Sequence, residues 1–470
     1  MPFADFREYL AYLESKDELR RVSREVDPYL ETTLVAKKSI EERGPALYFE
    51  NVKERPFPRK EKIPLTVAVF GTRKRIFMGL DTTEETWLKD WAGRVTKERM
   101  AKHAVKSVKE GPCKENIIKG DDVNLYEFPV TWHAPRDRGW YIDATVCIVQ
   151  HPDTRCRNAS VHRLLIHEKN QTGLWMSPGD LQHVIMLYWE RNKPCPMAVA
   201  IGTDPAVMMA ASTHVPFDWD EFNVAGALRG KPVEMVPCET LPIDVPATAE
   251  IIIEGWVPPN KRKLEAPFVE FTGYYGDERL APVWDVTAIT HRNNPIYNDI
   301  VMGIPPDEGQ QMTQFSAVEV YNALAQVFPA EDILDVFKTE GGCQAFDCVV
   351  RIKKRFPGQG KAVCTIALSC RDTHNVWVVD EDIDARNYTQ VEWAFATRCR
   401  AEDVIFIKDT LCVPLNPLAQ GGVITKMGFD CTVPIGGDKK TSSMIHFPCR
   451  YPTNTVNLED YIGAYRRQGK

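Results

Sequence analysis

The chain has no long apolar run, no excess of basic charge and no CxxC pair. No stretch approaches the roughly 20 apolar residues that a membrane helix needs, and the N-terminus lacks the basic and apolar regions of a secretory signal. A net charge of −7 and a pI of about 5.9 argue against a general nucleic-acid-binding protein. We therefore expect a cytoplasmic protein with neither a membrane nor a nucleic acid as partner.

Cysteine itself is abundant, because the chain contains 13 of them. Their number is odd, and neither Cys343/Cys348 nor Cys364/Cys370 has the CxxC spacing of a common structural metal site. We interpret these cysteines as buried, reduced thiols that fill space in a core.

A length of 470 residues exceeds one ordinary core, so several domains are expected. Amphipathic helices at 5–15 and 30–43 are followed by a strand at 46–49, which predicts an N-terminal α/β domain over 1–112. Short β-type runs separated by turn residues, among them a strand at Tyr141–Val149, predict a barrel or strongly curved sheet over 113–312. A connector helix and alternating helices and strands then predict a C-terminal α/β domain with a tail over 313–470.

One helix is predicted to interrupt the central β pattern. Ser177 followed by Pro178 and Asp180 is typical of a capped helix start, and the apolar spacing that follows extends the helix to about Arg191. Gln182 and His183 would lie in its first turns, where free backbone N–H groups and the helix dipole favour a phosphate.

The segment from Leu264 to Tyr275 contains two carboxylates, Glu265 and Glu270, in a largely apolar context. Buried carboxylates are costly unless a partner or a function uses them. Arg163, in a second polar segment, is a suitable partner, and we expect it to form one charged active-site cluster with Glu265 and Glu270. The alternative is a surface loop that carries two solvated acids.

Asn158, His183 and Glu239 would together offer an O, N, O ligand set, which suits Mn²⁺ or Mg²⁺ better than zinc. Each has a simpler interpretation as well: a turn asparagine, a packed histidine and a surface glutamate. Strand geometry raises a further question, because Asn158 and Arg163 are an odd number of residues apart and would face opposite sides of a regular strand.

In this order, the segments resemble the UbiD family of reversible decarboxylases along nearly the whole chain. The resemblance rests on Asn158 and Arg163, Gln182-His183, Cys238-Glu239-Thr240 and the Glu265-to-Glu270 motif. Further matching segments are Asp204-Pro205, Met209–Ser212, Val378–Asp384 and Thr425–Asp430. Val269, Phe271 and His162 depart from common family residues, which puts the substrate pocket in question more than the chemistry.

The resemblance implies a central split β-barrel domain that binds prenylated FMN, flanked by two α/β regions, with Mn²⁺ (or Mg²⁺) and K⁺ beside the flavin phosphate. It implies Asn158, His183 and Glu239 as ligands of the divalent metal. It assigns flavin contacts to Ser160, Val161, Gln182 and the phosphate-binding Lys426, and a K⁺ site to Ala210, Ala211, Ser212, Thr213 and Glu239. Arg163, Glu265 and Glu270 would be the catalytic set.

The resemblance therefore predicts a carboxy-lyase that interconverts an aromatic or α,β-unsaturated carboxylic acid with its decarboxylated product and CO₂. Arg163 would orient the carboxylate, and Glu270 with Glu265 would handle the proton. A UbiX-type flavin prenyltransferase would supply the cofactor, and a homodimer or homohexamer is expected. The alternatives are an FMN-dependent split-barrel oxidoreductase and a non-catalytic subunit of a multi-subunit aryl carboxylase.

Overall fold

A computed structural model describes residues 3–435, 455–457 and 459–462. The helices are α1 Phe6–Ser15, α2 Glu31–Glu41, α3 Arg73–Leu80, α4 Trp87–Arg94, α5 Lys97–Lys102, α6 Asp180–Glu190, α7 Pro205–Ala211, α8 Glu221–Arg229, α9 Glu308–Thr313, α10 Ser316–Ala325, α11 Gln359–Ser369, α12 Tyr388–Arg398 and α13 Glu459–Ile462. Most of the predicted tail lies outside the described residues.

The strands alternate with these helices in a mixed fold, which confirms the predicted α/β class. They are β1 Leu19–Val22, β2 Ala46–Phe49, β3 Leu65–Val67, β4 Lys106–Ser107, β5 Asn116–Lys119, β6 Tyr141–Ile142, β7 Val146–Gln150, β8 Arg157–Ser160, β9 Leu164–Glu168, β10 Gln171–Leu174, β11 Cys195–Ile201, β12 Glu234–Pro237, β13 Asp244–Pro246, β14 Ile251–Val257, β15 Arg262–Glu265, β16 Arg279–His291, β17 Tyr297–Asn298, β18 Ile333–Lys338, β19 Asp347–Ile352, β20 Asn375–Asp380, β21 Val404–Leu411 and β22 Val423–Cys431.

A four-stranded sheet in the order β1-β2-β3-β17 forms the N-terminal layer. Helix α1 packs on it because Phe6, Tyr9, Leu10 and Leu13 repeat at helical spacing and are all buried. Asp5 caps this helix by accepting the backbone N–H of Glu8 at 2.9 Å. Strand β17 comes from the end of the central region and pairs with β3, so the N-terminal sheet includes a strand from the central region.

The central sheet has ten strands and carries most of the site. Its main path runs β6-β9-β10-β16-β14-β11-β7-β8, with β5 and β15 also paired to β16. The pairings are antiparallel, and β16, the longest strand, holds four neighbours together. The path ends at β6 and β8, which do not pair with each other, so the described strands form an open sheet and not a closed barrel.

A five-stranded sheet in the order β18-β19-β20-β22-β21 forms the C-terminal region, with parallel pairing at β19-β20 and β20-β22. Helices α10, α11 and α12 pack against it. A small sheet, β13-β12-β4, joins the end of the N-terminal region to the central one. The domain boundaries proposed from the sequence stay a prediction.

Two local predictions need correction. The run from Tyr141 to Val149 is not one strand, because β6 ends at Ile142 and β7 begins at Val146. The helix predicted to begin after Ser177 begins at Asp180, with the extended residue Gly179 at the cap position and no side-chain cap. Within the described residues, no helix combines the length and the apolar character that crossing a membrane would require.

Candidate active site

A cavity of about 300 Å³ lies between the central sheet and the elements that lead into the C-terminal region. Its wall combines acids, aromatic rings and small polar groups. The residues that line it are Asp143, Asn158–Arg163, Trp175, Ser177–Leu181, Ala211–Val215, Glu221, Phe268, Glu270, Phe271, Ile300, Met302, Gly309, Met312, Thr313, Arg371 and Leu415.

Arg163, in this wall, pairs with both predicted carboxylates, of which Glu270 also lines the cavity. Its Nε donates to Glu265 Oε1 at 3.0 Å and its Nη2 to Glu265 Oε2 at 3.1 Å, while Nη1 donates to Glu270. All three residues are buried, and Glu265 is 0% exposed. The solvated-loop alternative is therefore excluded, and the residues form the expected charged cluster.

Arg163 and Glu270 lie in irregular segments between strands, and Glu265 lies at a strand end. Strand β8 ends at Ser160 and β9 begins at Leu164, so Arg163 lies in an irregular link and escapes the strict alternation of a strand. Glu265 is the last residue of β15, and Glu270 follows Pro267 outside any strand. The odd spacings therefore pose no geometric conflict.

Aromatic rings surround the guanidinium of Arg163. Its carbon lies 4.4 Å from the centre of the Trp175 ring and 4.9 Å from that of Phe268. Ring faces attract a cation and exclude water, which strengthens the neighbouring ion pairs. Since the Nε–Nη2 edge is already occupied by Glu265, a substrate can reach only the remaining hydrogens on Nη1 and Nη2.

A further buried carboxylate, that of Glu221, faces Asn158 in the cavity wall. Glu221 Oε1 accepts the Asn158 side-chain N–H at 3.0 Å, and Oε2 accepts the Ala159 backbone N–H at 2.9 Å. Desolvation raises the pKa of Glu221 well above its usual value. Neither Lys nor Arg forms an ion pair with it in the described part of the chain, so a cation would be well accommodated there.

Glu239 lies elsewhere, and the structure does not bring it to Asn158. Its carboxylate pairs with Lys119 at 2.7 Å and Lys114 at 3.4 Å, and it is not among the residues that line the cavity. The hydrogen bond from Lys119 is the main cause that lowers the pKa of Glu239. In the structure the carboxylate beside Asn158 is therefore that of Glu221 and not that of Glu239.

The helix expected to present Gln182 and His183 does reach the site, but through other residues. Asp180 and Leu181, at the start of α6, line the cavity, whereas Gln182 and His183 do not. His183 is exposed, and its ring contacts that of Phe217 with the centroids 5.0 Å apart.

Of the remaining predicted residues, the small polar ones line the cavity and the lysine does not. Ser160, Val161, Ala211, Ser212 and Thr213 are in its wall, and Ala210 is buried just behind it. Lys426 is buried and donates to the carbonyl oxygens of Leu368, Cys370 and Arg371 at 2.7–3.1 Å. It therefore holds the segment that carries Arg371.

Sequence reasoning missed Arg371, Glu221 and Trp175. Arg371 lines the cavity, and its Nε is buried without a hydrogen-bond partner. Asp220 accepts the Phe222 backbone N–H and so caps α8, which places Glu221 at the first position of that helix. The acidic run from Asp218 to Glu221 was the available signal for a helix start that points acids into a site.

His162, beside the catalytic cluster, is held neutral by its surroundings. Its Nε2 is 2.9 Å from Ser160 Oγ, and desolvation lowers its pKa to about 4. A neutral imidazole leaves Arg163 as the cation that faces Glu265 and Glu270 here.

Comparison with known proteins identifies the fold along nearly the whole chain. Models of the N-terminal, Rift-related and C-terminal domains of 3-octaprenyl-4-hydroxybenzoate carboxy-lyase (UbiD) match residues 10–95, 105–305 and 312–431. The structure is similar to that of the UbiD-class enzyme HmfF from Pelotomaculum thermopropionicum in complex with FMN. The identity is 32% over 97% of this chain and 100% of that chain, with a TM-score of 0.86.

Two further structures extend this comparison. An evolved dimeric form of the same enzyme, in complex with prFMN, is 31% identical over 98% of this chain and 100% of that chain, with a TM-score of 0.83. The vanillic acid decarboxylase of Sedimentibacter hydroxybenzoicus in its closed form is 29% identical over 93% of this chain and 94% of that chain, with a TM-score of 0.84.

The neutral state of His162 predicts a specific loss of stability in acid. The unfolded chain takes up this proton below the ordinary pKa of 6.5, whereas the folded protein resists it down to about 4. Stability from this group is therefore present above pH 6.5 and is lost as the pH falls towards 4. Between neutral pH and about pH 5, wild type should lose about 2 kcal/mol more than His162→Gln, which keeps a donor for Ser160. Urea unfolding at both pH values measures this difference, and equal losses in the two proteins would contradict it.

Proposed function

Because the chain belongs to the UbiD family, we propose that it catalyses the reversible, non-oxidative decarboxylation of an aromatic or α,β-unsaturated carboxylic acid with prenylated FMN. The general activity is that of its family, whose structural relatives include decarboxylases and complexes with FMN and prFMN. Carboxylation is the same reaction in reverse.

The observation that supports catalysis most strongly is the buried pairing of Arg163 with two carboxylates, of which Glu270 lines the cavity. Buried charges cost several kcal/mol unless they are paired or used. A binding protein gains nothing from this arrangement, and an FMN oxidoreductase needs no second acid beside the arginine. An enzyme that must deliver one proton in each turnover does need it.

The polar residues of the cavity wall fit the phosphate end of a flavin and its metal ions. Arg371 offers a buried Nε–H that makes no hydrogen bond and lies 3.7 Å from Asp372 Oδ1, and Glu221 offers a carboxylate without a cation. We assign the divalent metal, Mn²⁺ or Mg²⁺, to Asn158, His183 and Glu221, with Glu221 replacing the Glu239 of the sequence prediction. Ala210–Thr213 remain the proposed K⁺ segment, and Ser160, Val161 and Gln182 the proposed flavin contacts.

When bound, prenylated FMN supplies an electron-accepting partner for the carbon that loses CO₂, a role that no amino-acid side chain can fill. The protein supplies the rest. Arg163 holds Glu265 through two hydrogen bonds and directs its remaining N–H groups to the substrate carboxylate. Glu270, which shares a single N–H of that guanidinium, holds the proton that replaces CO₂ on carbon.

The apolar part of the cavity wall indicates the character of the acid. It consists of Phe271, Ile300, Met302, Met312 and Leu415, and Thr313 is a small polar residue of the same wall. The Thr313 hydroxyl already donates to the Gln310 carbonyl oxygen at 2.8 Å. An apolar, flat hydrocarbon group attached to the carboxylate fits such a wall. We further propose a homo-oligomer that receives its cofactor from a UbiX-type prenyltransferase.

Glu270→Gln tests the proton role. In anaerobically purified protein supplied with prenylated FMN, CO₂ release from a panel of aryl and cinnamic-type acids should fall at least roughly 100-fold, because the proton donor is lost. Flavin content should stay unchanged. Glu278→Gln is the matched control, since Glu278 lies on the same loop and pairs with Arg138 at the surface. A Glu270→Gln protein that works at the wild-type rate would disprove the assignment.

A pair of matched variants tests the metal assignment. Glu221→Gln should lower the bound divalent metal and the retained flavin at least roughly 10-fold, because a charged ligand is removed. Glu239→Gln should leave both at wild-type levels, since its carboxylate pairs with Lys114 and Lys119 and does not line the cavity. Elemental analysis and flavin absorbance of the purified proteins give both values. The reverse pattern would restore Glu239 as the ligand.

A further inference from the structure

A second group of buried titratable side chains lies at the edge of the same cavity, outside the catalytic cluster. His133, Asp143 and Asp299 offer ligand atoms that all lie within 4.8 Å of one another. Each of the three is at most 3% exposed. Asp143 follows β6 and lines the cavity, Asp299 follows β17, and His133 precedes β6.

The oxygens crowd around one nitrogen atom in this group. His133 Nε2 lies 3.1 Å from Asp143 Oδ2, 3.1 and 3.2 Å from the two Asp299 oxygens, and 2.7 Å from Thr131 Oγ1. The Thr131 hydroxyl already donates to Asp299 Oδ2 at 2.6 Å. One N–H cannot bond to all of these acceptors, so at least one carboxylate oxygen is left without a hydrogen.

Asp143 Oδ2 shows this shortage most clearly. It is buried and has no hydrogen-bond partner, although it faces His133 Nε2. The other oxygen of this carboxylate accepts the Ile300 backbone N–H at 3.2 Å. A carboxylate oxygen that points into a buried cluster without a proton to accept is suited to bind a cation.

Charge leads to the same conclusion. In the described part of the chain neither Asp143 nor Asp299 forms an ion pair with Lys or Arg, and their only cationic candidate is His133. Two carboxylates and a neutral imidazole would carry a charge that a dication cancels.

We propose that His133 Nε2, Asp143 and Asp299 bind a divalent transition-metal ion, with Thr131 Oγ1 as a neighbouring oxygen donor. The nearest donor separations match those of adjacent ligands around one ion at metal–ligand distances of about 2.1 Å. One imidazole and two carboxylates suit Mn²⁺, Fe²⁺ or Zn²⁺, whereas Mg²⁺ and Ca²⁺ prefer all-oxygen sites.

Such an ion would fix the wall of the cavity. It would link β6 to β17 through Asp143 and Asp299, and Asp143 in turn holds the backbone of Ile300. The His133 ring also contacts the ring of Phe268, with the centroids 5.6 Å apart, and Phe268 covers Arg163. The site would therefore position two residues that line the substrate cavity, and it shares no ligand with Asn158 and Glu221.

Metal binding to full-length Glu221→Gln tests the proposal, because that variant lacks the proposed cofactor-metal ligand. After treatment with a chelator, the protein is equilibrated with Mn²⁺ or Zn²⁺ alone, desalted and analysed for metal. We expect close to one equivalent per chain and a rise in Tm of roughly 3 °C or more with the metal. Adding Asp143→Asn or His133→Gln should lower the bound metal at least 10-fold and abolish the rise.

Two results would overturn the proposal. One is metal binding that is equal with and without Asp143→Asn, which would place the ion elsewhere. The other is a Glu221→Gln protein that binds neither metal and shows no change in Tm. That result would mean that His133, Asp143 and Asp299 share protons with one another and hold no ion. Because the second result needs only the parent variant, it stands even if the double variants do not fold.

Discussion

The guanidinium of Arg163 must balance two carboxylates out of contact with bulk water, and the centre of this protein is arranged around that constraint. Trp175 and Phe268 cover the guanidinium. Arg163 lies in the irregular link between β8 and β9, so the alternation of a strand does not fix its direction, and β15 ends at its partner Glu265. Gly276 has no side chain for the same reason, since a Cβ there would lie 2.9 Å from Glu270 Oε1. The ion cluster thus fixes the local backbone as much as the backbone fixes the cluster.

The cavity beside this cluster is polar at one end and apolar at the other, and both ends depend on more than one region of the chain. Asn158 and Glu221 belong to the central region, whereas Arg371 is carried by the segment after α11, whose carbonyl groups are held by Lys426. His214 and Asp372, 3.1 Å apart, connect the two regions at the same end. A phosphate bound there would contact both, so cofactor binding and domain packing should be coupled.

The fold class and the charged cluster could be predicted from the sequence, because acids in an apolar segment have few ways to be stable and Arg163 was the partner at hand. The acid that lies beside Asn158 could not be predicted. The local motif of Glu239 is suitable for a metal ligand, but Lys114 and Lys119 lie beside Glu239 only in three dimensions, and the same holds for Glu221 beside Asn158. Likewise, no local pattern indicated that His133, Asp143 and Asp299 meet, since they come from separate ends of strands and loops.

The measurement that tests the central claim most directly is the mass of the flavin released from protein purified without oxygen, after co-expression with a flavin prenyltransferase. The account predicts the mass of FMN plus one five-carbon prenyl unit. Unmodified FMN from protein that oxidises NAD(P)H and releases no CO₂ would contradict it and favour an oxidoreductase. The absence of any flavin from folded protein would contradict it as well, and would leave the buried charges of Arg163, Glu265 and Glu270 without a chemical reason.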